Sequence, residues 1–495
     1  MSKETVQRES LSKVLSRRDI LALAFGTMVG WGWVMLTAGW VASAGVVGAI
    51  IAFLFGAVLC MFVGATYAEL TPALPLAGGE LVFSYRGLGY FWSWFTAWAI
   101  CLAYIGVAAW EGIAISTAIN YIAPFPQAIE LWTLNGSTVY LTWSLVGIIG
   151  AAIIMIINLV GIKQSAVFQT VGTAGLILSG IIFITGGSIL GSPSNLEPMF
   201  TGLAEGIGPW AGILAVAMMA PGMYVGFDVI PQSAEEMNIP PKQIANVVFL
   251  SILMGAAWYI IMIVAASLSA PEEIRNSFDG SVPVAEIAAY AFGSPVWGKI
   301  MIIGALCGIV TSWNGFFIGA SRVIFSMGRA KMIPPVFGKV HPKYGTPTAA
   351  ILLVGIICMI TPLMGRNALV WFVDTASFGT VVAYLMVAIS FIFVRRNEPN
   401  LNRPYKVKRP MLIGAAAIAS ALFFIFLYLP FGPSGLVWPY EWAFILFWII
   451  LGVILAAAGK ASVGPVSLAE REYLIFGEEY ARKDILQDFL TKNNK

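Results

Sequence analysis

One acidic residue lies deep within an apolar segment of this sequence. Glu111 is flanked by apolar and aromatic residues over positions 104–115. It precedes Tyr121, at the end of that segment, by ten residues, which is roughly 15 Å along a helix. A carboxylate at the centre of a bilayer costs at least ~2.5 kcal/mol unless it is paired or protonated. Three roles follow for Glu111: binding a substrate amine, carrying a coupled proton, or completing a buried structural hydrogen bond.

Glycine interrupts two other apolar segments. The interruptions read GTMVGWGW at 26–33 and PGMYVGFD at 221–228. A backbone amide in lipid has no water to bond, so a membrane-spanning helix is broken only where it lines a cavity. Paired breaks in corresponding halves of a chain are typical of the binding sites of secondary transporters. We therefore predict that both breaks lie beside a central solute site.

The two breaks offer opposite chemistry. At the first, amides at the start of a half-helix carry positive partial charge and suit a carboxylate, and Gly30 and Gly32 permit close approach. At the second, Pro221 removes an amide donor and Gly222 adds flexibility, so that free carbonyls suit an ammonium group. The alternatives are that the first pair of glycines only allows tight helix packing and that the second segment is a plain kinked helix.

Composition places these features in a membrane. The chain has 495 residues, of which 59% are hydrophobic and 11% charged, with a mean hydropathy of +0.85. These values predict an all-α polytopic membrane protein. Twelve apolar stretches are long enough to span a bilayer: 20–43, 45–68, 90–121, 140–160, 166–190, 209–233, 245–269, 298–326, 347–364, 370–394, 410–429 and 441–459.

The distribution of positive charge predicts the orientation. With the N-terminus inside, only Arg275, Lys299 and Arg366 of the 28 Lys and Arg residues fall on the outer side. The positive-inside rule then places both termini in the cytoplasm, and we expect a multi-pass protein of the cell membrane. We also expect a short helix at 284–292 in an outer loop and a surface amphipathic helix within 468–490.

Other classes of function find little support. The sole histidine is His341, and no metal-ligand cluster, phosphate loop or nucleophile–base pair stands out. A channel would need a continuous polar path. We expect no enzyme activity, no nucleic-acid partner and no cofactor beyond a coupling ion, H⁺ or Na⁺.

Five segments in order carry a family resemblance. They are Tyr67–Leu70 with Pro75 and Gly78–Tyr85, then 158–169, then 226–240, then 314–334, and finally His341–Pro347. Together they resemble the amino acid–polyamine–organocation (APC) superfamily of permeases. The resemblance implies a LeuT-like five-plus-five inverted repeat with discontinuous helices 1 and 6 facing each other. The corresponding divisions are a cytoplasmic segment 1–19, repeats 20–190 and 191–394, spans eleven and twelve within 395–459, and a tail 460–495.

The resemblance also assigns roles and shows departures. Glu111 and Phe316 match pocket-lining positions. Trp31 replaces a residue that is usually small. Gly222 replaces an aromatic gate, which implies either a roomier pocket or a gate supplied elsewhere, by Tyr224 or Trp31. Leu176 stands where some relatives carry a lysine that takes the place of a sodium ion. Sodium coupling, protonation at Glu111 and uncoupled exchange therefore stay open.

The sequence favours a secondary-active amino acid permease working by alternating access, as a symporter or exchanger. The alternative is an amine or polyamine transporter in which Glu111 is the cation anchor. The expected partners are a small-molecule substrate and the lipid bilayer, with monomer and homodimer both open. The candidate substrate-binding residues are Thr27, Met28, Gly30, Trp31, Gly32, Glu111, Gly222, Tyr224, Val225, Gly226 and Phe316.

Overall fold

A computed structural model describes residues 8–134, 136–201, 208–278, 282–365, 368–432 and 435–487. This part of the chain is 77% helical. The first half contains α1 (Arg17–Met28), α2 (Gly32–Ala44), α3 (Val46–Ala73), α4 (Glu80–Leu88), α5 (Tyr90–Ile122), α6 (Leu141–Val160), α7 (Ile162–Leu190), α8 (Trp210–Ala217), α9 (Ala220–Tyr224) and α10 (Val229–Gln232). The second half contains α11 (Pro241–Ser269), α12 (Glu272–Ser277), α13 (Pro283–Ala291), α14 (Pro295–Arg329), α15 (Thr348–Ile360), α16 (Ala368–Asn397), α17 (Pro410–Tyr428), α18 (Tyr440–Val463) and α19 (Leu468–Tyr480).

Nine helices in the described ranges are long and apolar enough to cross a bilayer, or ten if the bent pair α1 and α2 is one span. The chain is therefore a polytopic helical membrane protein. The other two of the twelve predicted spans coincide with shorter helices. One is the apolar stretch Thr348–Met364, and the other is the interrupted series α8 to α10.

A small β-hairpin is the exception to the predicted all-helical fold. Strands β1 (Glu130–Leu134) and β2 (Ser137–Tyr140) pair antiparallel between α5 and α6. The sequence carries the signal for it, because an Asn-Gly pair between β-prone residues is typical of a tight hairpin turn, and Gly136 has a φ of +76°. The predicted short helix at 284–292 is confirmed as α13. The predicted outer residue Arg366 lies outside the described residues.

The packing of the long helices places the two breaks at the centre. α5 and α14 are the most buried of the long apolar helices in the described chain, and they pack against each other. α5 also packs along α16, while α11 packs against α3 and α7. The half-helix α1 contacts α7, α11 and α14, so its broken end is enclosed on several sides.

Both terminal segments lie on one face of the molecule, here called the termini face. Arg8 donates to the carbonyl of Ile475 in α19 (3.4 Å). The amide of Leu15 donates to the carbonyl of Glu236 (2.9 Å), and Asn238 donates back to Leu15 (2.9 Å). The predicted tail helix is present as α19, and its apolar side is buried against this face, as Phe476 shows. The two ends of the chain therefore close over the same side of the helix bundle.

Buried ion pairs hold the termini face together. Glu235, in a turn after α10, contacts Arg329 (2.9 Å) and Arg8 (3.1 Å). Its neighbour Glu236 forms a two-bond pair with Arg322 of α14 (2.9 and 3.0 Å).

A second buried group lies nearby on the same face. Arg86 of α4 binds Glu398 at the end of α16 (2.6 and 2.7 Å) and Glu472 of α19 (3.1 Å). Each buried charge in these two groups thus has a partner of opposite sign, which offsets its loss of hydration.

Candidate functional site

The first predicted break is present. α1 ends at Met28 and α2 begins at Gly32, and the two helix axes differ by 51°. Val29 has φ and ψ angles of −102° and 79°, which lie outside the helical region. The predicted interruption at 26–33 is therefore confirmed, and residues 29–31 lie between the two helices.

Hydroxyl groups from neighbouring helices donate hydrogen bonds to carbonyls from the middle to the end of α1. Thr173 of α7 donates to the carbonyl of Ala22 (3.1 Å), and Thr311 of α14 donates to that of Gly26 (3.0 Å). Tyr259 of α11 donates to the carbonyl of Met28 (3.0 Å). The broken helix is thus held at its carbonyl end by side chains from three different helices.

The amides on the other side of the break are left open. Val34 donates to the carbonyl of Trp31 (3.1 Å), which begins the hydrogen bonding of α2. Within the described residues, the amides of Gly30, Gly32 and Trp33 donate to no backbone carbonyl. The start of a helix presents unpaired amides in this way, and they attract an anion.

The second break lies a few residues later than its proline. Pro221 and Gly222 belong to the short helix α9, and the chain leaves helical geometry at Val225, which is extended with a ψ of 130°. Gly226 follows with a φ of +140°, a conformation that favours glycine. The Asp228 carboxylate accepts a hydrogen bond from the amide of Gly226 (2.7 Å) and stabilises this turn.

The two breaks touch each other. A Cβ placed on Gly226 would lie 2.6 Å from the backbone nitrogen of Met28. Only glycine allows the second break to approach the first this closely. The contact brings the start of α2 and the end of α9 to the same cavity.

That cavity has a volume of about 80 Å³, enough for several water molecules or a small solute. Nine of the eleven predicted binding residues line it: Thr27, Met28, Gly30, Trp31, Gly32, Glu111, Gly222, Val225 and Phe316. Of the described residues in its wall, Glu111 is the only charged one.

Tyr224 and Gly226 do not line the cavity. The Tyr224 hydroxyl donates to the carbonyl of Phe53 (2.9 Å), and the ring packs against Phe53 and Tyr259. Gly226 instead provides the contact between the breaks. Of the two predicted gate residues, only Trp31 faces the cavity.

Glu111 is the central polar group of the cavity. Its side chain is only 1% exposed, and the Ser312 hydroxyl and the Trp31 backbone amide are its hydrogen-bond partners. Among the described residues, Oε2 of Glu111 has no partner. One part of the carboxyl group is therefore fixed to the first break, and the other oxygen stays free.

The sequence did not indicate several wall residues. Ser312 lies one helical turn before Phe316, so the 3.6-residue period of a helix could have placed it on the same face. Tyr259, Ser377 and Thr380 also line the cavity. They come from α11 and α16, which carry no glycine break to mark them.

Leu176 is fully buried in α7. It lies on the same helix as Thr173, whose hydroxyl serves the carbonyl end of α1. The described residues hold no group of three or more His, Cys, Asp or Glu side chains that could bind a metal ion.

This architecture defines a membrane transporter with a central solute cavity between two broken helices. The family described as "Amino acid permease" matches residues 15–455, and the chain belongs to this family within the APC superfamily. Its members are transporters rather than enzymes.

Several curated proteins are similar to this chain. The "Branched-chain amino acid permease BcaP" of Bacillus subtilis (strain 168) is 27% identical over 460 residues, which cover 91% of this chain and 94% of that protein. The "Methylthioribose transporter" of the same organism is 25% identical over 462 residues, 90% and 93% of the two chains. "Cationic amino acid transporter 4" of Mus musculus is 27% identical over 399 residues, 79% of this chain but only 61% of that protein.

Proposed function

We propose that this protein carries an amino acid across the cell membrane by alternating access, as a secondary-active symporter or exchanger. The observation that carries the proposal is the cavity at the contact between two broken helices, with Glu111 as the one charged group in its described wall. The names of the relatives support amino acids as the class of substrate.

The geometry suggests how a zwitterion would bind. Its carboxylate would lie over the amides of Trp31, Gly32 and Trp33 at the start of α2, where the helix dipole is favourable. Its ammonium would lie near the free oxygen of Glu111 and the end of α9. Met28, Val107 and Val225 provide an apolar wall for the side chain, and Phe316 adds an aromatic surface.

The finer architecture belongs to the same proposal. We assign twelve spans, with the interrupted series α8 to α10 as the sixth and the helix at Thr348–Met364 as the ninth. Spans one to five and six to ten form the inverted repeat. The termini face is cytoplasmic, in agreement with the positive-inside rule.

The same site is compatible with three modes of coupling. Leu176 offers no ammonium to replace a sodium ion. The Thr173 and Thr311 hydroxyls donate hydrogen bonds to carbonyls of α1. The coupling ion is H⁺ or Na⁺, or the protein exchanges one amino acid for another. Uptake measured in sodium and choline buffers, with and without a proton gradient, separates these modes.

The test uses purified full-length protein in proteoliposomes. Uptake of each of the twenty amino acids is measured, and thermal shift in detergent gives binding independently of transport. We expect saturable binding and uptake of at least one amino acid. If no amino acid binds, the proposed function is excluded.

An amine or polyamine is the second candidate substrate, and the free Oε2 of Glu111 favours it. An ammonium group would pair with that oxygen without any need for a substrate carboxylate. Comparing an amino acid with its decarboxylated amine distinguishes the two candidates, because only the amino acid gains from the amides of α2. Tighter binding of the amine would identify an amine transporter.

A further inference from the structure

Glu111 already occupies part of the position that a substrate carboxylate would take. Its carboxyl group bonds to the Trp31 amide, which adjoins the open amides of Gly32 and Trp33. A Cβ on Gly30 would overlap Oε1 of Glu111 and lie 2.9 Å from the Ser312 hydroxyl. The carboxyl group therefore lies directly against the glycine that opens this break.

We infer that Glu111 is an internal competitor for the substrate carboxylate. In the empty site the Glu111 carboxylate lies at the start of α2, and an arriving amino acid displaces it from the Trp31 amide. The inference rests on the proposed function, since it describes how an amino acid enters the same cavity. It assigns Glu111 a role in selecting between substrates with and without a carboxylate.

Electrostatics explains why the displacement depends on the ammonium group of the substrate. Two carboxylates at the start of one helix repel each other strongly where little water is present. Among the described residues of the wall there is no Lys or Arg to receive the displaced Glu111. The ammonium of the substrate supplies that missing positive charge, and the Glu111 carboxylate pairs with it.

Three ligand classes should therefore behave differently. A zwitterionic amino acid displaces Glu111 and then pairs with it. An amine without a carboxylate pairs with Glu111 while Glu111 stays on the Trp31 amide. A carboxylic acid without an ammonium meets the Glu111 charge and is rejected. The cavity thus requires a positive group and tolerates a carboxylate only beside it.

The test compares three ligands in wild-type and Glu111→Ala protein by thermal shift and direct binding. They are the amino acid that binds most tightly in the panel of twenty, its decarboxylated amine and its deaminated acid. For leucine these are isopentylamine and 4-methylpentanoate. In Glu111→Ala we expect the acid to gain at least about tenfold in affinity, the amine to lose at least about tenfold, and the amino acid to change less than about threefold.

The outcomes separate this inference from the proposed function. If the wild type binds amino acids but Glu111→Ala gains nothing for the acid and loses amino acid and amine equally, Glu111 is only an ammonium anchor and the inference is wrong. If the wild type binds none of the twenty amino acids, the proposed function itself fails. Asp374→Asn is the matched control, because it removes a carboxylate from α16 outside the cavity wall. All three ligands should bind it as they bind the wild type.

Ser312→Ala provides a second test in a protein that keeps Glu111. Loss of the hydroxyl weakens the hold on the Glu111 carboxylate, so the amino acid should displace it more easily. We expect affinity for the amino acid to rise about threefold or more, whereas removing an ordinary binding residue would lower it. Unchanged or weaker affinity contradicts the inference.

Discussion

The termini face and the central cavity treat buried carboxylates in opposite ways. Glu236 and Glu111 are equally buried, each 1% exposed. Glu236 forms a two-bond pair with Arg322. Glu111 has a hydroxyl and an amide as partners and a free second oxygen.

The presence or absence of a cationic partner distinguishes a structural carboxylate from a candidate binding carboxylate. A buried acid with a well-placed arginine is electrostatically complete, and removing either partner leaves an uncompensated charge. A buried acid without a counter-ion is costly for the fold, and a passing cation can offset that cost. We therefore expect changes on the termini face to alter stability and changes at Glu111 to alter binding.

The largest expected effect is on the termini face. Arg322→Ala leaves Glu236 buried without its partner and should destabilise the protein by about 3–5 kcal/mol. Thermal unfolding in detergent measures the change. Lys339→Ala is the control, because Lys339 is exposed and should shift stability by less than about 0.5 kcal/mol. Equal shifts in the two variants would remove the contrast between the regions.

Low pH should lower the stability that the ion pairs of the termini face provide. Burial acts to raise the pKa of Glu235, but Arg329 and Arg8 outweigh it and hold the pKa at about 2, below the usual 4.5. Because the pKa is lowered in the folded protein, this contribution is complete above about pH 4.5 and is lost as the pH falls toward 2.

The contribution of Glu235 to the free energy of unfolding is up to about 3 kcal/mol. Unfolding measured from pH 7 down to pH 2.5 should show the loss. Glu235→Gln should be less stable at pH 7 and have a flatter acid profile. A variant profile parallel to that of the wild type would assign the acid sensitivity to other groups.

Substitution in the cavity should show the reverse pattern. Glu111→Gln removes a buried charge that has no cationic partner, so thermal stability should be unchanged or higher. Binding of the amine that corresponds to the tightest-binding amino acid should fall at least about tenfold, because a charge-assisted hydrogen bond is lost. Unaltered amine binding together with a lower unfolding temperature would make Glu111 a structural residue like Glu236.

The smallest effect concerns the support of the first break. Tyr259→Phe removes the hydrogen bond to the carbonyl of Met28 and should cost about 1 kcal/mol. Amide exchange at 28–31, followed by mass spectrometry, should become faster. Tyr290→Phe, at an exposed tyrosine, should change neither quantity. Identical exchange in both variants would show that Tyr259 does not hold the break.

Much of the fold could be predicted because lipid imposes simple rules. Long apolar runs gave the major helices to within a few residues, and glycine runs located both breaks. Glu111 was recognisable as a candidate site residue because an isolated acid in an apolar segment has a high energetic cost. These signals are local, so one sequence contains them.

The remaining site residues depend on contacts between distant segments. Tyr259 reaches the cavity because α11 packs beside α1. No pattern in the local sequence predicts this packing. Only the exact residues of the second break within 221–228 were not predictable. Pro221 fits the first turn of a short helix, where its missing amide is not needed, so the chain breaks at Val225 and Gly226 instead. The partners of the charged residues Arg8 and Arg86 were equally hidden, since they lie hundreds of positions away.

Arg86 has a consequence for the order of events during biosynthesis. Its guanidinium group finds its partners at Glu398 and Glu472, which are separated from it by 312 and 386 positions. A ribosome has therefore made most of the polypeptide before either carboxylate emerges. The early helices are therefore inserted before Arg86 has a partner. The last elements to be translated supply the two carboxylates that pair with it. A nascent chain released before Glu472 is translated would lack one of the two carboxylate partners of Arg86.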